Sequence, residues 1–127
     1  MAILLDTHAL LWWLLGNPRL SRIARSAIAS DPDVLVSAVC AVELAAKVRI
    51  GKLPEAARIV HRLADVIAEQ GFRTLPISLE HGRISGLLPG AHRDPFDRMI
   101  AAQSLLDNIP VVTNDPGLIG FGVAVVW

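Results

Sequence analysis

Four carboxylates draw attention by where they fall along the chain: Asp6, Glu43, Asp97 and Asp115. Asp6 ends the apolar run Ile3-Leu4-Leu5, and Asp115 follows a second run, Val111-Val112-Thr113. Carboxylates are hard oxygen donors that suit Mg²⁺ or Mn²⁺ with several waters retained. Gathered in one place, such a set could hold a divalent ion for phosphodiester hydrolysis. Each acid also has a purely structural explanation. Asp6 stands where a helix N-cap belongs. Asp115 lies in Asn114-Asp115-Pro116-Gly117, which has turn composition throughout. Glu43 is spaced for a surface ion pair with Lys47 at i,i+4, worth only ~0.3–0.5 kcal/mol. Against that last explanation, the neighbours of Glu43 on its helix face are Val39 and Ala46, and a carboxylate on an apolar face calls for a cation.

The densest segment is His92-Arg93-Asp94-Pro95-Phe96-Asp97-Arg98. Asp94 as N-cap, Pro95 at N1 and Asp97 at N3 make a near-ideal helix start. Capping and metal ligation are compatible there, because a helix N-terminus keeps a carboxylate ionised. Asp94 reads as the capper of the two. His8, His61, His81 and His92 lack the spacing of a zinc pair such as H-x-x-x-H. No GxxxxGK[ST] loop or GxGxxG turn is present, so no nucleotide cofactor is signalled. Trp12 and Trp13 read as core and interface packing rather than base-stacking platforms.

The elements that must position these residues alternate between strand and helix. Strands are expected at Ala2 to Leu5, Val34 to Ser37, Arg73 to Ile77, Pro110 to Thr113 and Val123 to Trp127. Helices are expected at Thr7 to Leu15, Ser21 to Ala29, Val39 to Ile50, Glu55 to Gln70, Leu79 to Leu87 and Pro95 to Leu106. That alternation implies an α/β fold with a parallel sheet and helices on both faces. Ligands in such folds bind outside the carboxyl ends of the strands, where Asp6 and Asp115 fall.

The 127 residues suffice for a single domain, 1–127, with a proper core. Hydrophobic content of 53% is high for that size and points to a buried interface, hence a homodimer or a wrapped partner. Net charge is zero, which excludes a strongly basic surface as the main theme. Lys47 and Lys52 are the only lysines among twelve cationic residues, and arginine forks suit phosphate. Arg49, Arg93 and Arg98 are candidates for phosphate contacts. Cys40 is alone, so no intramolecular disulfide can form, as fits a reducing compartment. No apolar run approaches the ~20 residues of a membrane span, and a cytoplasmic location is expected.

Taken together, Leu4-Leu5-Asp6-Thr7-His8, Ser37-Ala38-Val39-Cys40-Ala41-Val42-Glu43, the run from Asp94 through Gln103, and Val111-Val112-Thr113-Asn114-Asp115 resemble a PIN domain. Within that family they are similar to the VapC-type toxins of bacterial toxin–antitoxin pairs. The matching segments span the chain in the right order. The resemblance implies a three-layer α/β fold with a central parallel sheet of four to five strands flanked by helices. It implies that Asp6, Glu43, Asp97 and Asp115 form an acidic Mg²⁺-binding quartet, with Asp94 as an additional acid. Thr7, Ser37 and Thr113 take the place of hydroxyl residues that support such a site. The implied activity is endoribonuclease cleavage of RNA by metal-activated water, in a toxin held by a cognate antitoxin. An antitoxin tail would be expected across the acidic cleft and an apolar groove near Trp12 and Trp13.

Other readings meet specific residues. A haloacid-dehalogenase-like phosphatase resembles the opening strand and Asp6 but requires an acid two residues on, where His8 stands. A phosphoacceptor receiver domain requires a late lysine, and both lysines precede residue 53. The alternative that survives is a catalytically degenerate PIN-fold module that binds RNA or a protein without cutting.

Overall fold

The structure, a computed structural model, describes residues 1–127. Its strands are β1 (Ala2–Leu5), β2 (Asp33–Ser37), β3 (Arg73–Leu75), β4 (Val111–Val112) and β5 (Val125–Val126). They form one sheet in the order β3-β2-β1-β4-β5, with every pairing parallel. β1 is the middle strand, and its sequence lacks alternation because both faces are covered. Ile3, Leu4 and Leu5 are all buried, as are Val34, Leu35 and Val36 of β2 and both residues of β4.

The helices are α1 (Thr7–Leu15), α2 (Arg22–Ser30), α3 (Ala38–Arg49), α4 (Ala57–His61), α5 (Leu63–Glu69), α6 (Leu79–Leu87), α7 (Pro95–Asp107) and α8 (Pro116–Ile119). They flank the sheet in the three-layer α/β arrangement that the strand–helix alternation implies. α3 packs against α1, α4 and α7, and α6 lies along α7. A single core cluster runs from Ile3 to Val123 and draws on every strand except β3 and β5, whose residues lie at its margin.

Cap chemistry sets the helix starts. Asp6, Ser21, Ser37, Ser78 and Asp94 each accept a backbone N–H of the helix that follows, which satisfies donors that have no intrahelical partner. α1 ends at Gly16 in the left-handed region, at φ 65°, where a side chain would be strained. α7 ends the same way at Asn108, φ 55°, a residue type that tolerates that region.

β3 stops at Leu75 rather than Ile77, β4 is Val111–Val112 rather than Pro110 to Thr113, and β5 is Val125–Val126 rather than Val123 to Trp127; the structure departs from the expected elements elsewhere as well. The expected helix from Glu55 to Gln70 is instead a 3₁₀ turn over Pro54–Ala56 followed by α4 and α5. The break falls at Arg62, whose N–H binds the Ile59 carbonyl in a 3₁₀-type bond. Arginine is a good helix former, so no local preference marks that site. The turn around Asp115 continues into α8, with Pro116 at the first helical position. Finally, β2 begins at Asp33, which the Arg73 guanidinium of the neighbouring strand grips at 2.9 and 3.1 Å.

Trp12 and Trp13 are partly buried against the core. Trp12 meets Trp127 edge-on at 6.0 Å between centroids. Trp13 lies against Phe72 and donates its indole N–H to Gln70. No helix is long and apolar enough to cross a membrane.

A candidate metal centre at the strand ends

The strand register places three of the singled-out residues side by side. Leu5 pairs with Val36 on one flank and Val112 on the other. The next residue of each strand is therefore Asp6, Ser37 and Thr113, a row across the carboxyl ends of β1, β2 and β4. The β1–β4 boundary is where the connections reverse direction, the position at which open parallel sheets bind ligands.

Asp6 is only 4% exposed. Its Oδ1 accepts the Ala9 N–H at 2.6 Å, so the capping role is real. Burial pushes its carboxyl above the usual range; a hydrogen bond from Thr113 opposes that shift, and the charge of Asp115 adds to it. No lysine or arginine contacts Asp6. Thr113 is fully buried and works in two directions, accepting the Asp115 N–H at 3.0 Å while its hydroxyl serves Asp6. Asp115 in turn caps α8, its Oδ1 accepting the Gly117 N–H at 2.9 Å.

Glu43 comes from the second turn of α3, which the Ser37 hydroxyl starts by accepting the Val39 N–H. It does pair with Lys47, Nζ to Oε2 at 2.5 Å, but the carboxylate is 6% exposed, so this is no solvated surface pair. Asp97 comes from the first turn of α7. Asp94 accepts both the Phe96 and Asp97 N–H groups and is thereby the capper. The capping role thus falls to Asp94, as the helix start suggested. Asp97 Oδ2 lies 2.9 Å from His92 Nε2. Its carboxyl is pushed up to about 6, first by burial and then by the charges of Asp94, Asp115 and Glu43, with the His92 contact opposing.

The quartet is therefore electrostatically joined: Asp6 feels Asp115, and Asp97 feels Asp115 and Glu43. It is not drawn tight, since no three of the chain's acidic, histidine or cysteine side chains converge as a ready metal-holding group. Glu43 pairs with Lys47 and Asp97 with His92, and like charges with no cation between them repel. The donor set nonetheless fits a hard divalent cation. All its members are carboxylates, two are buried almost completely, and Asp6 has no side-chain cation beside it. A cation among them would relieve both desolvation and mutual repulsion.

The remaining singled-out residues fall into place around this centre. Thr7 is buried, its hydroxyl donating to the Cys40 sulfur at 3.4 Å, behind the acids. Burial pushes the Cys40 thiol up to about 12, which removes it as a nucleophile. Arg49 and Arg93 are exposed and unpaired. Arg98 is differently employed: it donates to the carbonyls of Ser85 (2.9 Å), His92 (2.7 Å) and Leu88, fastening the loop before α7.

Two features of the site escaped the sequence reading. His92 is five residues before Asp97, a separation that regular structure does not bring together, so its pairing with Asp97 carries no periodic signal. The apolar cleft of about 560 Å³ lies between α3 and α5, walled by Ala41, Ala45, Leu63 and Ile67, and opens at Ser37. It is not beside Trp12 and Trp13, where a groove was expected, because those rings are already packed against Trp127 and Phe72.

Comparison with known proteins agrees with this architecture. No curated protein matches the sequence. Among solved structures, the chain is similar to FitAcB from Neisseria gonorrhoeae, with 26% identity over 98% of this chain and 96% of that one, at a TM-score of 0.69. It is similar in fold to VapBC2 from Rickettsia felis, solved with a DNA fragment from its promoter: 16% identity, 98% and 97% covered, TM-score 0.70. It also shares its fold with VapC20 of Mycobacterium tuberculosis, a sarcin–ricin loop cleaving toxin: 20% identity, 96% of each chain covered, TM-score 0.67. The family model described as PIN domain matches residues 3–122, and the chain belongs to the PIN domain family.

Proposed function

We propose that the protein is a Mg²⁺-dependent endoribonuclease, with Mn²⁺ as a possible substitute ion, and the toxin of a toxin–antitoxin pair. The observation that carries this reading is the nearness of four acids at the sheet's carboxyl edge: Asp115 follows β4 beside Asp6 and raises its carboxyl, and Asp115 and Glu43 both raise that of Asp97. A pure RNA binder gains nothing from gathering negative charge against phosphate. Bound there, the ion would supply charge neutralisation and a more acidic water for attack on phosphorus.

The chain's own residues supply placement. Asp6 and Asp115 are fixed by the caps they make, so neither carboxylate is free to swing. Thr113 ties the two together across β1 and β4. Glu43 and Asp97 come from α3 and α7; Lys47 holds Glu43 and can yield to an arriving ion, whereas His92 engages a single oxygen of Asp97. Of the three arginine candidates, Arg49 and Arg93 keep guanidinium groups free for RNA phosphate, whereas the donors of Arg98 are spent on the loop.

Several neighbours in fold are toxin–antitoxin complexes, which supports a cognate antitoxin as the partner of this chain. The apolar cleft between α3 and α5, with Ser37 among its lining residues, offers such a partner an apolar surface. Leu79 and Leu87 of α6, at 94% and 65% exposure, support a homodimer. A cytoplasmic location follows from an RNA substrate and a lone, buried cysteine.

The decisive experiment is cleavage of a mixed RNA pool with Mg²⁺ or Mn²⁺ and with chelator. Metal-dependent internal cuts, lost in Asp6→Asn, are expected. Tight RNA binding without cutting in either metal would instead establish the degenerate binding module.

A further inference from the structure

Gly117 is a glycine with no torsional reason to be one. It is not among the residues with positive φ, and it sits in the first turn of α8, where alanine would favour the helix. What it lacks room for is a side chain. A methyl group built there would lie 2.6 Å from Nε2 and 2.9 Å from Nδ1 of His92, and closer still to Cε1. The His92 ring thus occupies the space that a side chain at 117 would take.

That ring has little freedom to move aside. Its Nε2 is 2.9 Å from Asp97 Oδ2, and the Phe121 ring meets it edge-on at 5.9 Å. Arg98 donates to the His92 carbonyl at 2.7 Å, and its guanidinium stacks over the same Phe121 at 5.4 Å. The imidazole is held by Asp97 of α7 and lies against Gly117 and Phe121 of the α8 segment, while Arg98 fixes the His92 backbone through its carbonyl. A side chain at 117 would be accommodated only by withdrawing the ring, and the contact surrendered is the one to Asp97.

We infer that Gly117 and His92 are positioning residues for Asp97: the absent side chain at 117 seats the imidazole, and the imidazole fixes which carboxylate oxygen of Asp97 is turned toward the other acids. With Oδ2 engaged by His92, Oδ1 has no partner within the chain and is the oxygen left to a ligand. The same contact links the two helices that bring Asp97 and Asp115, because Gly117 is also the residue whose N–H Asp115 caps. Outer partners of this kind orient ligating groups in metal sites generally. This inference rests on the metal-site reading above.

The test is Mn²⁺ affinity, from the paramagnetic resonance of free ion, in wild type, Gly117→Ala, His92→Ala and the double variant. Each single change is expected to weaken binding roughly 10- to 100-fold, the range for outer-partner changes. The double variant should be no weaker than His92→Ala, because the atoms that a methyl at 117 would strike are gone. Wild-type affinity in Gly117→Ala, multiplied losses in the double variant, or tighter binding in His92→Ala would each overturn the inference. The last would make the ring a competitor of the ion. If Gly117→Ala does not fold, His92→Gln decides: its amide can still donate to Oδ2 and should recover affinity that His92→Ala loses, and equal loss in both is contrary. Failure of the metal-site reading is distinct, for then wild-type protein binds no Mn²⁺ at all, and this inference falls with it.

Discussion

Lys47 Nζ lies 2.5 Å from Glu43 Oε2, and the carboxylate it meets is 6% exposed while the ammonium keeps 31%. The pair is therefore asymmetric: the lysine reaches in from solvent to neutralise an acid that cannot reach out. Such a lysine can retreat to water if another cation arrives, at little cost to itself.

Removing it should expose that asymmetry. In metal-free protein, Lys47→Met is expected to destabilise by about 1–3 kcal/mol, less than the loss of one partner from a fully buried pair, because Lys47 is part-exposed. Saturating Mg²⁺ should shrink the deficit, since the ion then answers the charge of Glu43. Urea unfolding with and without Mg²⁺ measures both values. An equal deficit in both conditions would show that the ion does not reach Glu43.

Asp6 separates capping from ligation. Asp6→Asn keeps an oxygen to accept the Ala9 N–H and loses a desolvated charge, so metal-free stability should match or exceed wild type. Asp6→Ala loses the cap and should cost about 1 kcal/mol. Both should lose cleavage, and neither should gain thermal stability from Mg²⁺ as wild type does. Melting curves with and without the ion check this, and a Mg²⁺-induced rise in Asp6→Asn contradicts it.

Asp97 sets a pH dependence. Its carboxyl is pushed up to about 6 from the ordinary 3.8, so the folded state holds a proton that the unfolded chain releases. A raised carboxyl contributes stability that is full below 3.8 and is lost as pH rises through about 6. Metal-free wild type should therefore lose this contribution between pH 4 and pH 6, and Asp97→Asn should not. Unfolding midpoints of the two proteins across that range give the comparison; parallel curves would remove Asp97 as the cause. Mg²⁺ should bind more weakly below pH 6, where it competes with that proton.

The Thr113 hydroxyl is fully buried, accepts the Asp115 N–H at 3.0 Å and opposes the rise that burial causes in the Asp6 carboxyl. Thr113→Val leaves the Asp115 N–H and the Asp6 carboxyl short of a partner and should cost about 1–3 kcal/mol. Thr113→Ser keeps the hydroxyl and should retain cleavage, losing only a methyl group's packing. Cleavage in Thr113→Val at the wild-type rate would show that the link between β1 and β4 is structural alone.

Much of this centre was legible in the sequence because its parts sit where local rules are strongest. Asp6 and Asp115 follow apolar strands, and Asp94-Pro95-Phe96-Asp97 is a helix start that also orders the two acids, one to cap and one to point onward. The apolar neighbours Val39 and Ala46 pointed to burial of Glu43 and the i,i+4 spacing to its pair with Lys47, and the structure has both. What escaped depends on the meeting of segments without periodicity. The seat of His92 against Gly117 joins a loop to a four-residue helix, and nothing in either segment names the other. The break at Arg62 and the cleft between α3 and α5 likewise arise from how helices lean on the sheet, which propensity does not encode.

The parallel pairing of β1 with β4 has a kinetic consequence. Leu4 and Leu5 find Val111 and Val112 only after nearly the whole intervening chain has been made, a contact of long sequence separation that closes slowly. Asp6 therefore waits without Asp115 while β1 and β2 can already associate. The mutual repulsion of the acids is postponed to the last step of assembly, when the sheet that must withstand it is largely in place. A chain still short of its final strands would hold one end of the centre and none of its chemistry.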